Sequence, residues 1–249
     1  MSVPRFHCPQ AVPGLAAGTL LELPASAAHH AQRVLRLADG APIVLFDGRG
    51  GEYAARLACT PGAPASARME AWHDRDRAPR IAVHLLQSLA ASEKIDWVVE
   101  KAVELGCASV TPVGASRSVV RLHGERAARR VAHWQALAVA ASEQCGLNRL
   151  LQVHPVTGLR EAIDRSPPGL RLRLDPVAGA PLPACLGPDP LAAVVLAIGP
   201  EGGFDPQEER ALGEAGFLGC TLGPRVLRTE TAALAAVAAI RAIADDFGH

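Results

Sequence analysis

The chain has 249 residues, 49% of them hydrophobic and 20% charged, and its 25 basic and 25 acidic side chains give a formal net charge of zero. That length carries one large α/β domain or two smaller ones, and the apolar content excludes a disordered chain. Zero net charge excludes a broad positive field, so any contact with nucleic acid has to come from local clusters.

From residue 3 to about residue 72 the sequence consists of short apolar runs cut by turn residues. Residues 20–23, Pro42–Phe46 and 53–57 read as strands, and Asp47-Gly-Arg-Gly-Gly51 is a hairpin signal between the last two. These predict a small β-barrel over residues 1–73. Residues 29–37, with Ala31, Val34 and Leu35 at helical spacing, predict one short helix packed against it. The polar stretch 73–80 lacks a large apolar side chain and has a proline near its end, so residues 74–80 are read as a linker.

Over residues 81–249 strands and helices alternate. Strands are expected at 81–86, 107–113, Leu170–Leu174 and Ala193–Ile198, and helices from Ser92 to a stop at Gly106, from Glu125 to about Cys145, and over 231–245. Such alternation predicts a parallel sheet covered by helices on both faces. The Pro-rich stretch 175–190 reads as a long surface loop. The apolar run 191–198 is too short to span a bilayer and Arg241 interrupts the Ala-rich stretch 232–244, so both read as core and no membrane association is expected.

The six cysteines, at 8, 59, 107, 145, 185 and 220, form no C-x-x-C pair and have no histidine at zinc-finger spacing. No structural metal is therefore expected. The first residues lack the apolar core of a secretory signal, which points to a reduced, cytoplasmic protein without a disulfide framework.

Gly199-Pro-Glu-Gly-Gly203 follows a buried strand and precedes a well-written helix start. Asp205 suits the cap, Pro206 the first helical position, and Glu208 completes a capping box. The crevice beyond the carboxyl ends of strands is where open α/β sheets bind ligands. The loop matches neither a dinucleotide nor a triphosphate motif, and by itself it suits a plain strand-to-helix turn as well as a ligand site. Leu222-Gly-Pro-Arg-Val-Leu-Arg-Thr-Glu-Thr-Ala232 repeats the arrangement: a strand over 220–222 enters a Gly-Pro turn, and Thr229 or Thr231 is placed to cap the last helix. Arg225, Arg228, Thr229, Glu230 and Thr231 crowd between a core strand and an apolar helix. Structural ion pairing accounts for some such groups, but charge at loop ends beside a crevice favours a functional role. The densest basic stretch is 117–130, with Arg117, Arg121, Arg126, Arg129 and Arg130 against Glu125 alone.

Taken together, Ile198-Gly-Pro-Glu-Gly-Gly-Phe204, the segment 222–232, Glu143-Gln-Cys-Gly146, Glu100-Lys-Ala-Val-Glu-Leu-Gly106, Arg117-Ser-Val-Val120 and His30-Ala-Gln-Arg-Val-Leu-Arg36 resemble the bacterial methyltransferases that act on N3 of a uridine in 16S ribosomal RNA, members of the SPOUT superfamily. The resemblance runs from about residue 5 to residue 243. It implies a PUA-like RNA-binding barrel followed by an α/β domain with a parallel sheet and a deep trefoil knot, an exception to ordinary chain threading. It also implies S-adenosylmethionine as cofactor, 16S RNA or the small ribosomal subunit as partner, and a homodimer.

Carried over position by position, the cofactor pocket is Ile198, Gly199, Glu201, Gly202 and Gly203 with Leu222, Gly223, Val226, Leu227 and Thr229. Arg228 and Glu230 fall nearest the chemistry: Arg228 to stabilise negative charge on the uracil, Glu230 as a base or as a support for Arg228. Arg5, Arg33, Arg36, Arg117, Arg121 and Arg149 are the expected RNA contacts. One departure stands out, since Leu147 occupies a place where the family commonly has Arg, and Arg149 is the next arginine. The alternatives are a non-catalytic RNA-binding protein that keeps the fold, and a methyltransferase of the same superfamily with another target.

Overall fold

The computed structural model describes residues 3–60, 62, 64–177, 179–187 and 191–247. The chain folds into two compact units, one holding the residues up to Ala78 together with Ser142–Leu150, the other holding Pro79–Ala141 and the chain from Leu151 onward. The segment 142–150 thus belongs with the first unit, although its sequence lies inside the expected 81–249 domain. Its side chains explain why: Glu143 accepts from the His7 backbone N–H at 2.9 Å, and Asn148 Nδ2 donates to the Arg75 carbonyl at 2.6 Å.

The first unit is built on a mixed sheet of five strands, β1 (Arg5–His7), β2 (Leu20–Glu22), β3 (Pro42–Phe46), β4 (Glu52–Ala58) and β5 (Ser66–His73), in the order β1-β3-β4-β5-β2. β1 runs parallel to β3 and the other pairings are antiparallel. β1 and β2 stand at opposite ends of that order, so the expected small barrel is an open one. Alternation sets its core: Tyr53, Ala55 and Leu57 of β4 and Ala67 and Met69 of β5 are buried together with Phe6, Ile43 and Leu45. In the β3–β4 hairpin Gly51 has φ +71°, and a Cβ there would lie 2.1 Å from the Trp72 ring, so only glycine fits. The expected helix begins earlier than its apolar spacing indicated, as α1 (Ala25–His29), and continues through a π-helical turn, His30–Val34. Arg36, with φ +52°, follows it in the left-handed region.

Glu52 is a buried carboxylate at 4% exposure. It accepts from Arg5 Nη1 at 2.7 Å, Arg77 Nη1 at 3.0 Å, Arg75 Nη1 at 3.1 Å and Asn148 Nδ2 at 3.2 Å. Burial alone would raise its pKa, but the hydrogen bonds from Arg5, Arg77 and Asn148 outweigh it and bring the carboxyl down to about 2.

The second unit holds a seven-stranded, all-parallel sheet. Its strands are β6 (Ala82–Ser88), β7 (Ser109–Val113), β8 (Gln152–Val153), β9 (Leu170–Leu174), β10 (Ala180–Pro181), β11 (Ala193–Ile198) and β12 (Leu218–Thr221), in the order β10-β12-β9-β11-β6-β7-β8. The helices are α2 (Ser92–Glu104), α3 (Gly124–Cys145, whose last turn counts with the first unit), α4 (Leu159–Arg165), α5 (Leu182–Leu186), α6 (Pro206–Glu214) and α7 (Thr229–Ile243). Val195 and Ala197 of β11 join Leu159, Ala162 and Ile163 of α4 and Leu212 of α6 in one core cluster. Strand alternation turns Val194, Leu196 and Ile198 to the opposite face, and α7, which packs on β6, β11 and α2, covers that side. A strand buried on both faces is a continuous apolar run, which is why β11 falls at its expected bounds.

Part of the expected surface loop 175–190 is ordered as β10 and α5, while residues 178 and 188–190 lie outside the described residues. Gly179 permits this, because a Cβ there would lie 2.5–2.8 Å from the backbone of Cys220 on β12. Arg241, which interrupts the apolar face of α7, is 1% exposed. It donates to the carbonyls of Leu105 at 3.0 Å, Gly106 at 2.9 Å and Ile81 at 2.5 Å and pairs with Asp246 at 3.2 Å. A buried cation thus closes the carboxyl end of α2. No helix among the described residues is long and apolar enough to cross a membrane.

Candidate active site at the carboxyl ends of β9, β11 and β12

Two loops leave the parallel sheet from the strands on either side of β9. The first follows Ile198 and enters α6 through the expected capping box: Asp205 Oδ1 accepts from Gln207 and Glu208 N–H, each at 2.8 Å, and Glu208 Oε2 accepts from Asp205 N–H at 2.9 Å. The second follows Thr221 and enters α7. Here the expected cap is corrected: Arg228 is the N-cap residue, and no side chain caps the helix. Thr229 Oγ1 is engaged elsewhere, donating to the Gly199 carbonyl at 2.8 Å and accepting from Gln87 Nε2 at 3.0 Å. The hydroxyl therefore ties the start of α7 to the first loop, and the leading N–H groups of α7 are left for other partners.

Between the loops lies a cavity of about 340 Å³, the size of a small-molecule site. Ile198, Gly199, Glu201 and Gly203 line it from the first loop, and Leu222, Gly223, Val226, Leu227 and Thr229 from the second. Of the expected pocket residues Gly202 alone is missing from the wall; its carbonyl accepts from Arg117 Nη1 at 2.8 Å. The residues sequence reasoning missed are Arg173, Leu174, Asp175 and Pro176 at the end of β9, and Glu209 of α6. Arg173 Nη1 lies 2.8 Å from Asp175 and 2.9 Å from Glu209, so one guanidinium bridges two carboxylates and this group keeps a net negative charge. Only the strand order, with β9 between β11 and β12, could have pointed to them.

Arg228 lines the cavity with an exposed side chain, and no ion pair or hydrogen bond engages its guanidinium among the described residues. Glu230 is not on the wall. It is buried at 9% exposure, with Oε2 3.3 Å from Lys94 Nζ, and Lys94 Nζ is also 2.8 Å from Glu201 Oε1. Glu230 therefore supports Lys94 and not Arg228. The lysine holds the Glu201 carboxyl below its usual range. Cys220, also on the wall, has its thiol pushed up to about 12 by burial, with Cys185 adding to the effect. It stays protonated at neutral pH and is no nucleophile.

The six expected RNA-contacting arginines divide by what they touch. Arg33 and Arg36 are exposed and carry no partner among the described residues. Arg5 differs from them: its side chain is 12% exposed and bonded to Glu52 and Asn148 within the first unit. Arg149 is exposed and paired with Asp76 at 2.6 Å, while Leu147, in the family's usual arginine place, is buried. In the second unit Arg117 donates to the Gly202 and Phe204 carbonyls, and Arg121 to the Ser116 carbonyl at 3.2 Å. Sequence alone shows an arginine's position but not whether an acceptor already holds it.

Residues 77–241 match the RNA methyltransferase domain family and residues 23–58 an RNA methyltransferase PUA domain. The chain is 30% identical over 226 residues to the ribosomal RNA small subunit methyltransferase E of Bacillus subtilis, covering 85% of this chain and 86% of that protein. It is 31% identical over 224 residues to the protein of the same name from Mycobacterium bovis, covering 85% and 82%. The crystal structure of a ribosomal RNA small subunit methyltransferase E from Neisseria gonorrhoeae, bound to S-adenosyl methionine, superposes with a TM-score of 0.87 at 37% identity over 97% of this chain and 98% of that one. With both loops of the cavity inside a likeness that spans nearly the whole sequence, this chain belongs to the ribosomal RNA small subunit methyltransferase E family.

Proposed function

We propose that this protein transfers a methyl group from S-adenosylmethionine to N3 of one uridine in 16S ribosomal RNA. The observation that carries the reading is one cavity lined by both Gly-Pro loops, with Arg228, an arginine without a partner among the described residues, on its wall. The residues present suit the cofactor. Leu174, Ile198, Phe204, Leu222 and Leu227 offer apolar surface to a flat base. The uncapped first turn of α7, which lines the cavity at Arg228, Thr229 and Ala232, offers N–H donors and a favourable dipole to a carboxylate. Bound there, the cofactor supplies an electrophilic methyl on a sulfonium.

What remains for the protein is alignment and charge. Uridine N3 carries a proton at neutral pH, and losing it to water puts negative charge on the uracil oxygens until N3 takes the methyl from the sulfonium. Arg228 is placed to stabilise that charge as it develops. Glu230, buried against Lys94 and away from the cavity wall, is a support on this reading and does not reach the reacting atoms. Arg33 and Arg36, with Arg121 and Arg149, are the arginines proposed to meet RNA phosphates, in a protein acting in the cytoplasm. Val226, 81% exposed on the cavity wall, leaves an apolar side that the second subunit of a homodimer would cover. Knotting of the chain around these loops belongs to the same reading.

The test is incubation with labelled S-adenosylmethionine and small subunits from a strain lacking the endogenous enzyme, followed by nucleoside mass spectrometry. One N3-methyluridine in 16S RNA is expected. Cofactor binding in a titration calorimeter without any transfer would favour a non-catalytic RNA-binding role, and label on another base would assign another target.

A further inference from the structure

We infer that Lys94 is a positioning residue of the methyl-transfer site, a latch that ties the loop after β11 to the first turn of α7. The inference rests on the cofactor reading above and assigns a role to a residue that no motif singled out. Lys94 lies in the first turn of α2, and its ammonium meets two carboxylates, Glu201 Oε1 of the loop after β11 at 2.8 Å and Glu230 Oε2 of the first turn of α7 at 3.3 Å. Glu201 stands on the cavity wall, and the Glu230 side chain is only 12% exposed. Without the lysine, two like charges would face each other in a partly desolvated place and push the loop away from the start of α7.

A second tie makes the arrangement a latch rather than a lone ion pair. Thr229, the neighbour of Glu230, bonds the Gly199 carbonyl of the same loop. Two ties, from consecutive residues of α7 to Gly199 and Glu201, fix the orientation of the loop as well as its position. The pair with the part-exposed Glu201 contributes little to overall stability, whereas the one with buried Glu230 contributes more. The effect of the lysine on the site should fall on the geometry of the wall that Glu201 and Gly203 form.

The test uses the full-length protein and its Lys94→Met and Lys94→Arg variants. Calorimetric titration with S-adenosylmethionine, at a temperature where every variant is fully folded, should show Lys94→Met binding about five- to tenfold more weakly, with Lys94→Arg within about twofold of the parent, because a guanidinium also reaches two carboxylates. Hydrogen exchange on the ligand-free proteins should show faster exchange in Lys94→Met over residues 199–204 and the first turn of α7, and nowhere else. Unchanged exchange there overturns the latch, whatever the cofactor. Unchanged affinity, or loss of affinity that merely follows a fall in melting temperature, overturns its role in the site. No heat from the parent protein overturns the cofactor reading instead, and the exchange measurement still decides on the latch.

Discussion

Arg228 and Glu230 are two residues apart in sequence and differ in every physical respect. Arg228 is exposed on the cavity wall with no partner among the described residues, while Glu230 is buried and paired with Lys94. Replacing Arg228 with alanine should leave the calorimetric heat with S-adenosylmethionine intact and lower the methyl-transfer rate by about 10²–10³, the usual loss for a preorganised donor to developing negative charge. Parent-like transfer by that variant would remove Arg228 from the chemistry. The same scale explains Arg5. A pattern of arginines in a sequence reads as a possible RNA surface, but the Glu52 carboxylate lies within reach and a buried acid takes the nearest cations first.

At the scale of elements, the two loops work as one site because β9, β11 and β12 are neighbours in a parallel sheet, with their carboxyl ends on one side. α7 has to begin at a fixed place against them, and its far end is held by Arg241. That residue binds the carbonyls closing α2 and the carbonyl of Ile81 just before β6. Arg241→Met should therefore leave three carbonyls without their donor, remove one of the two cations that meet Asp246, and cost about 3 kcal/mol, read as a lower urea midpoint in equilibrium unfolding. An unchanged midpoint would mean that water replaces the guanidinium at no cost.

At the scale of the whole molecule, three arginines and Asn148 of the first unit converge on one buried carboxylate, that of Glu52. Its pKa of about 2 in the folded chain lies below the ordinary 4.5, so its stabilising effect is fully present above about pH 4.5 and is lost as the pH falls toward 2. Comparing the parent with Glu52→Gln by urea unfolding across that window should show about 2 kcal/mol of acid-labile stability absent from the variant, the figure being discounted because Arg75 and Arg77 are partly exposed. Parallel curves for the two proteins would mean that other carboxylates carry the acid sensitivity.

What the sequence by itself determined follows from local physics. The strand bounds of β9 and β11, the capping box at Asp205, the long helix α3 and the two Gly-Pro loops are written in apolar runs, caps and turns that need no distant partner. Other features are non-local, and only the tertiary structure decided them. Segment 142–150 joins the first unit because Glu143 and Asn148 find donors and acceptors there. The loop 175–190 gains β10 and α5 because Gly179 lets the chain approach Cys220. Lys94 enters the site because α2 brings it between two acids more than a hundred residues away in sequence. Hydrogen bonds and ion pairs of that kind depend on which groups the packed sheet places within about 3 Å of one another, a distance no spacing along a single chain encodes.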